Sequence, residues 1–383
     1  MPESRPTVVI FSGGGTGGHL YPALALADAL IEIRPDVHAV FVGASRGVEA
    51  RILPERGLDH CLLPVEGFQR GRGLASWRAL PALATSLRTV GELFVRLHPE
   101  AVVVTGGYAS GPAGIAAGLM GLPLLLQEQN SVPGMTTRAL SRWAQRIHVA
   151  FPEASEHLPS SRQDRVRFSG NPVRGVPELA QADARRRFAL PEQGTVLLVT
   201  GGSQGSLALN RTLEDAARGL AKGELDRPEG LHVLWAAGPK HFDGVSAALA
   251  DAGSPSWIHV VPYIEEMPAA LAAADLAVSR AGAMTTAELL NNGLPAILVP
   301  LPTAAANHQE KNAEALAQAG AALVAHEEGL TGEALWDRIV RLAGDGELRA
   351  GMGAAALDRA RPHAAADIAR DIATFLPTMR SAA

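Results

Sequence analysis

The chain has 383 residues and a formal net charge of −5, from 34 Lys and Arg against 39 Asp and Glu. This length is typical of about two domains, and the small acidic excess does not favour a nucleic-acid partner, which usually requires a basic excess. With 47% hydrophobic residues the chain is not disordered, and the lone Cys61 excludes an intrachain disulfide or a cysteine metal cluster and agrees with a reducing compartment.

Each half of the chain opens with a buried strand, a glycine-rich turn and a helix. The first set spans 7–12, 13–18 and 22–30, and the second spans 195–200, 201–205 and 207–217. Further short apolar strands follow at 39–42, 101–104, 122–126, 231–235, 276–279 and 296–299. Two such series predict two doubly wound α/β units with parallel sheets and right-handed crossovers.

The turn-rich stretch from Gly170 to Pro177 predicts the boundary between the units. We expect an N-terminal domain at 1–173 and a C-terminal domain at 174–361. A last helix is predicted at 364–375, and composition does not decide on which domain it packs.

Neither an export signal nor a membrane span is expected. The first apolar run, 8–11, is too short for a signal-peptide core. The uncharged stretches 105–127 and 289–309 contain internal Pro and Gly, whereas a spanning helix needs about 20 consecutive, mostly apolar residues. Both stretches therefore predict buried strands and helices joined by turns.

The first glycine turn has the G-x-G-x-x-G spacing, at Gly13, Gly15 and Gly18. Such a turn brings backbone amides and a helix N-terminus to a phosphate group. A dinucleotide site would also need an acidic residue at the end of the second strand. That strand runs into 43–46, which has no carboxylate. Because Arg46 could meet a 2′-phosphate, an NADP-dependent oxidoreductase stays open, as does a turn that only packs helix on strand.

His19 stands at the entrance of the first helix, where a phosphate-binding P-loop would carry lysine. The positive end of the helix dipole favours a neutral imidazole, and a neutral imidazole can act as a general base. A capping or packed histidine would occupy the same position, so both interpretations remain.

A second anion site is predicted where the strand at 276–279 leads into a helix. Thr285, Thr286 and the amides of the first helical turn can bind a pyrophosphate. Glu288 follows on the same helix and can accept hydrogen bonds from a ribose diol, although it could also serve only its own helix N-terminus. Because no D-x-D sequence occurs, we expect metal-independent chemistry and no cofactor, with helix termini and backbone amides meeting the leaving-group charge.

The segment 70–87 combines an apolar stripe at helical spacing with several arginines. This composition suits an interfacial segment on anionic lipid. An ordinary amphipathic core helix shows the same stripe, so the residues alone leave both interpretations open.

Several motifs of one known family occur in order along the chain. They lie at 14–19, 106–112, 128–130, 170–174, 201–205, 280–288 and 308–313. Over about residues 7–375 the chain resembles the MurG family of peptidoglycan N-acetylglucosaminyltransferases. The resemblance implies a GT-B fold, with two Rossmann-like domains facing across a cleft and the last helix, about 362–383, packing back on the N-terminal domain.

This resemblance implies transfer of GlcNAc from UDP-GlcNAc to the MurNAc 4-hydroxyl of lipid I, which is undecaprenyl-pyrophosphoryl-MurNAc-pentapeptide. Inversion would give the β-1,4 link of lipid II in peptidoglycan biosynthesis. The enzyme would be peripheral on the cytoplasmic face of the inner membrane, against its anionic surface and with cell-wall or division-complex proteins as possible partners. A non-catalytic nucleotide-sugar sensor is a further alternative.

The resemblance also implies roles for individual residues. His19, or a water that it orients, would be the base. The sequence departs from the family pattern at Asn307, where many relatives carry Asp. Ser203 and Arg174 would approach the diphosphate, Glu288 the ribose and Gln309 the GlcNAc hydroxyls, while the backbone of Ile264 would hold the uracil. The full donor set is Thr16, Gly17, Gly18, Asn130, Arg174, Ser203, Ile264, Ala283, Met284, Thr285, Thr286, Ala287, Glu288 and Gln309. The acceptor set is Gly107, Tyr108 and Glu128, and the membrane set is Arg72, Trp77, Arg78 and Leu80.

Overall fold

The computed structural model describes residues 6–65, 76–173 and 179–378, with backbone alone over 76–80. The chain divides into two compact units. The first consists of Met1–Val173 together with His363–Ala383, and the second of Arg174–Pro362. No helix in the described ranges is long and apolar enough to cross a membrane.

The first unit is built on a parallel sheet of seven strands in the order β3-β2-β1-β4-β5-β6-β7. Its strands are β1 (Thr7–Gly13), β2 (Val37–Ala44), β3 (His60–Leu63), β4 (Ala101–Gly106), β5 (Leu124–Glu128), β6 (Arg146–Val149) and β7 (Val166–Phe168). Its helices are α1 (Gly17–Ile33), α2 (Glu49–Glu55), α3 (Ser76–Leu97), α4 (Gly111–Met120) and α5 (Met135–Leu140). The strand order reverses between β1 and β4, because β2 and β3 lie on one side of β1 and β4 to β7 on the other. Ligands of open α/β sheets bind at such a switch point.

Apolar residues cover both faces of this sheet. On one face, α3 and α4 bury Phe94 and Ala113 in the core. On the other face, α1 contributes Leu26 and Leu30, and the last helix, α14 (Ala364–Ala373), adds Ile368 to the same core. The last helix therefore completes the first unit, two residues shorter than the predicted 364–375.

The second unit has a parallel sheet of six strands in the order β10-β9-β8-β11-β12-β13. Its strands are β8 (Thr195–Thr200), β9 (Leu231–Ala236), β10 (Ile258–Val261), β11 (Leu276–Ser279), β12 (Ala296–Leu298) and β13 (Ala322–Val324). Its helices are α6 (Gln181–Arg187), α7 (Leu207–Ala221), α8 (Phe242–Asp251), α9 (Met267–Ala273), α10 (Ala283–Asn291), α11 (His308–Gln318), α12 (Gly332–Gly344) and α13 (Gly346–Arg359). The switch point lies between β8 and β11, the two strands followed by the second glycine turn and by α10.

The arginine-rich stretch 181–191, for which the sequence suggested no function, has a structural role. Arg185 is 3% exposed and donates to the carbonyls of Ala273, Glu192 and Gly194, besides pairing with Asp275. The five N–H donors of a guanidinium group can satisfy several buried carbonyl and carboxylate oxygens at once. This arginine therefore ties α6 to the end of α9 and to the start of β8.

Candidate functional site

A buried carboxylate lies beneath the first glycine turn. Glu49, at the start of α2, is 0% exposed and accepts hydrogen bonds from the Gly15 amide at 2.9 and 3.0 Å and from the Ala44 amide at 2.8 Å. A Cβ on Gly14 or Gly47 would lie 2.2 or 2.3 Å from a carboxylate oxygen of Glu49. A side chain at either glycine would therefore displace the buried carboxylate.

Glu49 also bears on the dinucleotide alternative. The Gly15 amide, which a pyrophosphate would need, is already donated to a carboxylate. A buried negative charge beneath the turn also opposes a second anion there. The structure therefore does not favour the NADP interpretation of this turn.

His19 is held by its Nδ1 atom. This nitrogen lies 3.1 Å from the carbonyl oxygen of Thr105 and 2.8 Å from Oε1 of Gln129. Because a carbonyl oxygen only accepts, Nδ1 carries the proton and Nε2 has the lone pair. The half-buried ring, at the carboxyl end of β1, can accept a proton through Nε2.

The loop after β4 closes around this histidine. Gly106 and Gly107 have φ of 92° and 79°. A Cβ on Gly107 would lie 2.1 Å from the Gly14 carbonyl and 2.9 Å from the His19 ring, so only glycine fits. Tyr108 packs over Gly15, since a Cβ there would lie 2.5 Å from its ring. The structure thus brings Gly107 of the acceptor set against His19 and Tyr108 against Gly15.

Glu128 and Asn130 lie at the carboxyl end of β5. Glu128 is 2% exposed, and its oxygens accept from the amides of Asn130 and Gly134, each at 3.1 Å, and from the Asn130 side chain at 3.2 Å. Its carboxylate therefore organises the loop 128–134.

Thr16 and Gly18 are exposed at the N-terminus of α1, and the Thr16 side chain makes no capping hydrogen bond.

In the second unit, the turn after β8 exposes Ser203. The turn is fixed by close backbone contact, since a Cβ on Gly205 would lie 2.1 Å from the Ala237 carbonyl. Arg280, 7% exposed, donates at 2.7 Å to the hydroxyl of Ser206, the N-cap of α7, and pairs with Glu327. Arg280 thus joins the turn after β8 to the end of β11.

The predicted phosphate-binding residues lie on the first turns of α10. Ala283, Met284, Thr285, Ala287 and Glu288 are half-buried along this helix. Thr286 differs, because it is 0% exposed and its hydroxyl donates to the Ala283 carbonyl at 3.0 Å. Its hydroxyl proton is therefore used within the helix, and binding of a pyrophosphate by Thr286 stays a prediction.

Gln309 lies in the first turn of α11, and its Oε1 accepts from the Leu301 amide at 3.0 Å. Before it, Ala306 and Asn307 adopt positive φ values of 52° and 58°. Backbone in this region is strained for non-glycine residues and concentrates at functional sites. Ile264, 3% exposed, follows β10.

Some predicted positions lie outside what the structure describes. Arg174 and Arg72 fall in the gaps 174–178 and 66–75, and the side chains of Trp77, Arg78 and Leu80 belong to the backbone-only stretch of α3. Within the described ranges no group of three or more His, Cys, Asp or Glu could hold a metal ion.

Comparison with known proteins defines the class. The glycosyltransferase family 28 N-terminal domain matches residues 9–149, and the family 28 C-terminal domain matches residues 196–371. With its two parallel α/β sheets, the chain is a glycosyltransferase of the GT-B fold.

Individual relatives narrow this class. A Salinibacter ruber protein named UDP-N-acetylglucosamine–N-acetylmuramyl-(pentapeptide) pyrophosphoryl-undecaprenol N-acetylglucosamine transferase is 43% identical, covering 99% of this chain and 100% of the relative. A Desulforudis audaxviator protein of the same name is 40% identical, with 93% and 95% covered. The crystal structure of Acinetobacter baumannii MurG is 32% identical with a TM-score of 0.78, covering 96% of this chain and 100% of that one. The chain belongs to the MurG family of N-acetylglucosamine transferases.

Proposed function

We propose that this enzyme transfers GlcNAc from UDP-GlcNAc to the MurNAc 4-hydroxyl of lipid I, forming β-1,4-linked lipid II with inversion. The carrying observation is a histidine with Nε2 available as a base, directly after the first glycine turn. The chain also matches a named N-acetylglucosamine transferase over 99% of its length. A nucleotide-sugar sensor has no proton for His19 to accept, and the Glu49 carboxylate on the Gly15 amide opposes the NADP-dependent oxidoreductase.

The proposed mechanism is a single displacement. Nε2 of His19, directly or through a water, takes the proton of the acceptor hydroxyl as that oxygen attacks the anomeric carbon. UDP leaves from the opposite face, which inverts the configuration. Its growing charge is met by the amides at the start of α10 and by the Ser203 turn, and such preorganised donors are worth about 3 kcal/mol each in well-studied sites.

We assign the remaining residues by the same proposal. Thr16, Gly17, Gly18 and Asn130 face the sugars, and Tyr108 and Gly107 contact the acceptor. Because the Glu128 carboxylate holds the loop 128–134, its contribution to acceptor binding is to position Asn130. In the second unit, the donor is bound by the Ile264 backbone, Arg174, Ser203, Ala283, Met284, Thr285, Thr286, Ala287, Glu288 and Gln309.

The membrane assignment is also a proposal. We place the enzyme on the anionic cytoplasmic face of the inner membrane, through the segment with Arg72, Trp77, Arg78 and Leu80. In the second half of α3, Val90, Leu93 and Phe94 are buried in the core, so that half anchors the helix to the first unit. We assign lipid contact to the segment before these core residues.

The decisive experiment is transfer of radiolabelled GlcNAc from its UDP conjugate to a short-chain lipid I analogue, in the presence of EDTA. We expect labelled disaccharide-lipid product at an undiminished rate. Tight UDP-GlcNAc binding without transfer would indicate the sensor or another acceptor. Absence of both, from folded protein, would overturn the proposal.

A further inference from the structure

Behind His19 lies a relay of three buried side-chain amides. Gln127, Gln129 and Asn171 are 1%, 1% and 3% exposed. Gln129 presents Oε1 to Nδ1 of His19 at 2.8 Å, and its Nε2 donates to the carbonyl of Thr105 at 2.7 Å. The relay therefore begins at the proposed base.

The orientation of each amide is fixed by the next one. The Nε2 group of Gln129 also donates to Oε1 of Gln127, so the Nε2 group of Gln127 faces Oδ1 of Asn171, at 3.0 Å. Asn171 in turn donates through Nδ2 to the backbone carbonyl of Gln129 at 3.1 Å. The amide NH2 group at each end of the relay thus donates to a backbone carbonyl, which can only accept. Exchanging the nitrogen and oxygen of the side-chain amides would break these hydrogen bonds, so the orientation of the amides is fixed.

We propose that Gln129 is the positioning residue for His19, and that the relay through Gln127 and Asn171, together with the Thr105 carbonyl, fixes the imidazole with Nδ1 protonated and Nε2 available. The assignment rests on the proposed function only for its catalytic consequence. The orientation of the ring follows from the hydrogen bonds themselves, since the partner of one ring nitrogen sets which nitrogen carries the proton.

The relay also reaches the end of the first unit. Asn171 lies two residues before Val173, where that unit's first segment ends. Its Oδ1 and Nδ2 both contact the relay. The position of this segment is therefore coupled to the imidazole through buried polar groups that cannot be left unpaired without cost.

The test uses the full chain with 15N-labelled histidine, with the His19 resonances assigned from their loss in His19→Gln. Long-range proton–nitrogen spectra report which ring nitrogen carries the proton. We expect the wild-type His19 to be protonated at Nδ1. In Gln129→Met, a share of the Nε2-protonated form should appear and kcat should fall about tenfold, with the UDP-GlcNAc Kd within about twofold.

Gln145→Met is the matched control, because Oε1 of Gln145 accepts from the Leu124 amide at 2.7 Å, at the opposite end of β5. It should leave both the His19 resonances and kcat unchanged. If Gln129→Met does not fold, Asn171→Ser tests the relay from its other end, with the same spectral change expected.

Two results would overturn the inference: a wild-type His19 protonated at Nε2, or unchanged His19 resonances in the folded Gln129 and Asn171 variants, whatever happens to kcat. If the wild-type protein transfers no GlcNAc while the variants show the spectral changes, the proposed function is refuted and the relay is supported.

Discussion

The substitution Glu49→Gln tests whether the first glycine turn depends on the carboxylate beneath it. The side chain keeps its size, so no cavity opens. One carboxylate oxygen is replaced by an NH2 group. At the position of Oε2, which lies 3.0 Å from the Gly15 amide nitrogen, this group would place a donor against a donor. The remaining oxygen is neutral and must serve both Gly15 and Ala44.

The expected loss follows from these contacts. A hydrogen bond to a charged group contributes about 1.5–3 kcal/mol, so we expect a loss of about 2 kcal/mol. Since about 1.4 kcal/mol corresponds to a factor of ten, amide exchange at Gly15 should accelerate about thirtyfold. In a unit of this size the same loss lowers the Tm by about 4–8 °C.

Hydrogen exchange with mass spectrometry, on peptides spanning the glycine turn, measures this directly. Glu55→Gln on the same helix is the control, because Glu55 is exposed and pairs with Arg51 at 3.0 Å. Surface pairs of this kind contribute about 0–1 kcal/mol, so the control should change exchange at the turn little. Unchanged protection of Gly15 in Glu49→Gln would refute the role given to the carboxylate.

Three further predictions concern catalysis, donor binding and acid stability. His19→Ala should lower kcat at least about a hundredfold with an unchanged donor Kd by calorimetry, and an unchanged kcat would remove His19 from catalysis. Glu288→Gln should weaken UDP-GlcNAc binding about tenfold with little effect on kcat at saturation, and an unchanged Kd would contradict the ribose contact. His148, 3.1 Å from Oδ2 of Asp371, and Arg146, 2.6 Å from the same oxygen, lower the pKa of Asp371 from its ordinary 3.8. The stabilisation by this carboxylate is therefore complete above 3.8 and is lost as pH falls through the lowered pKa. Asp371→Asn should therefore lower the Tm at pH 7 and flatten its fall in acid, whereas Asp367→Asn, at an exposed pair, should do neither.

The glycine turns and the strands before them were predictable because their pattern is local. A β-branched apolar run followed by glycines and a helical period gives the strand, turn and helix in order. The predicted strand at 122–126 was misplaced, since β5 spans Leu124–Glu128 and takes in two polar residues. Hydropathy could not indicate this, because Gln127 and Glu128 are buried through hydrogen bonds rather than apolar contact.

The partners of the glycine turn could not be predicted. Glu49 reaches Gly15 only because β1 and β2 pair in parallel, with Ser12 opposite Val42. Nothing in a window around Glu49 distinguishes it from a surface glutamate at a helix start. The three-residue strands β7 and β13 were missed because three residues show no period, and β12, equally short, was recognised only within the longer predicted run 296–299.

The placement of the last helix has a consequence for the order in which the protein can fold. Because α14 contributes Ile368 to the core that holds Leu26, Leu30 and Phe41, the first unit is encoded by two segments with the whole second unit between them. During synthesis the second unit is complete while that face of the first unit still lacks its cover. A fragment ending at Val173 would carry the same exposed apolar face, so expression of the first unit alone requires the last helix to be rejoined to it.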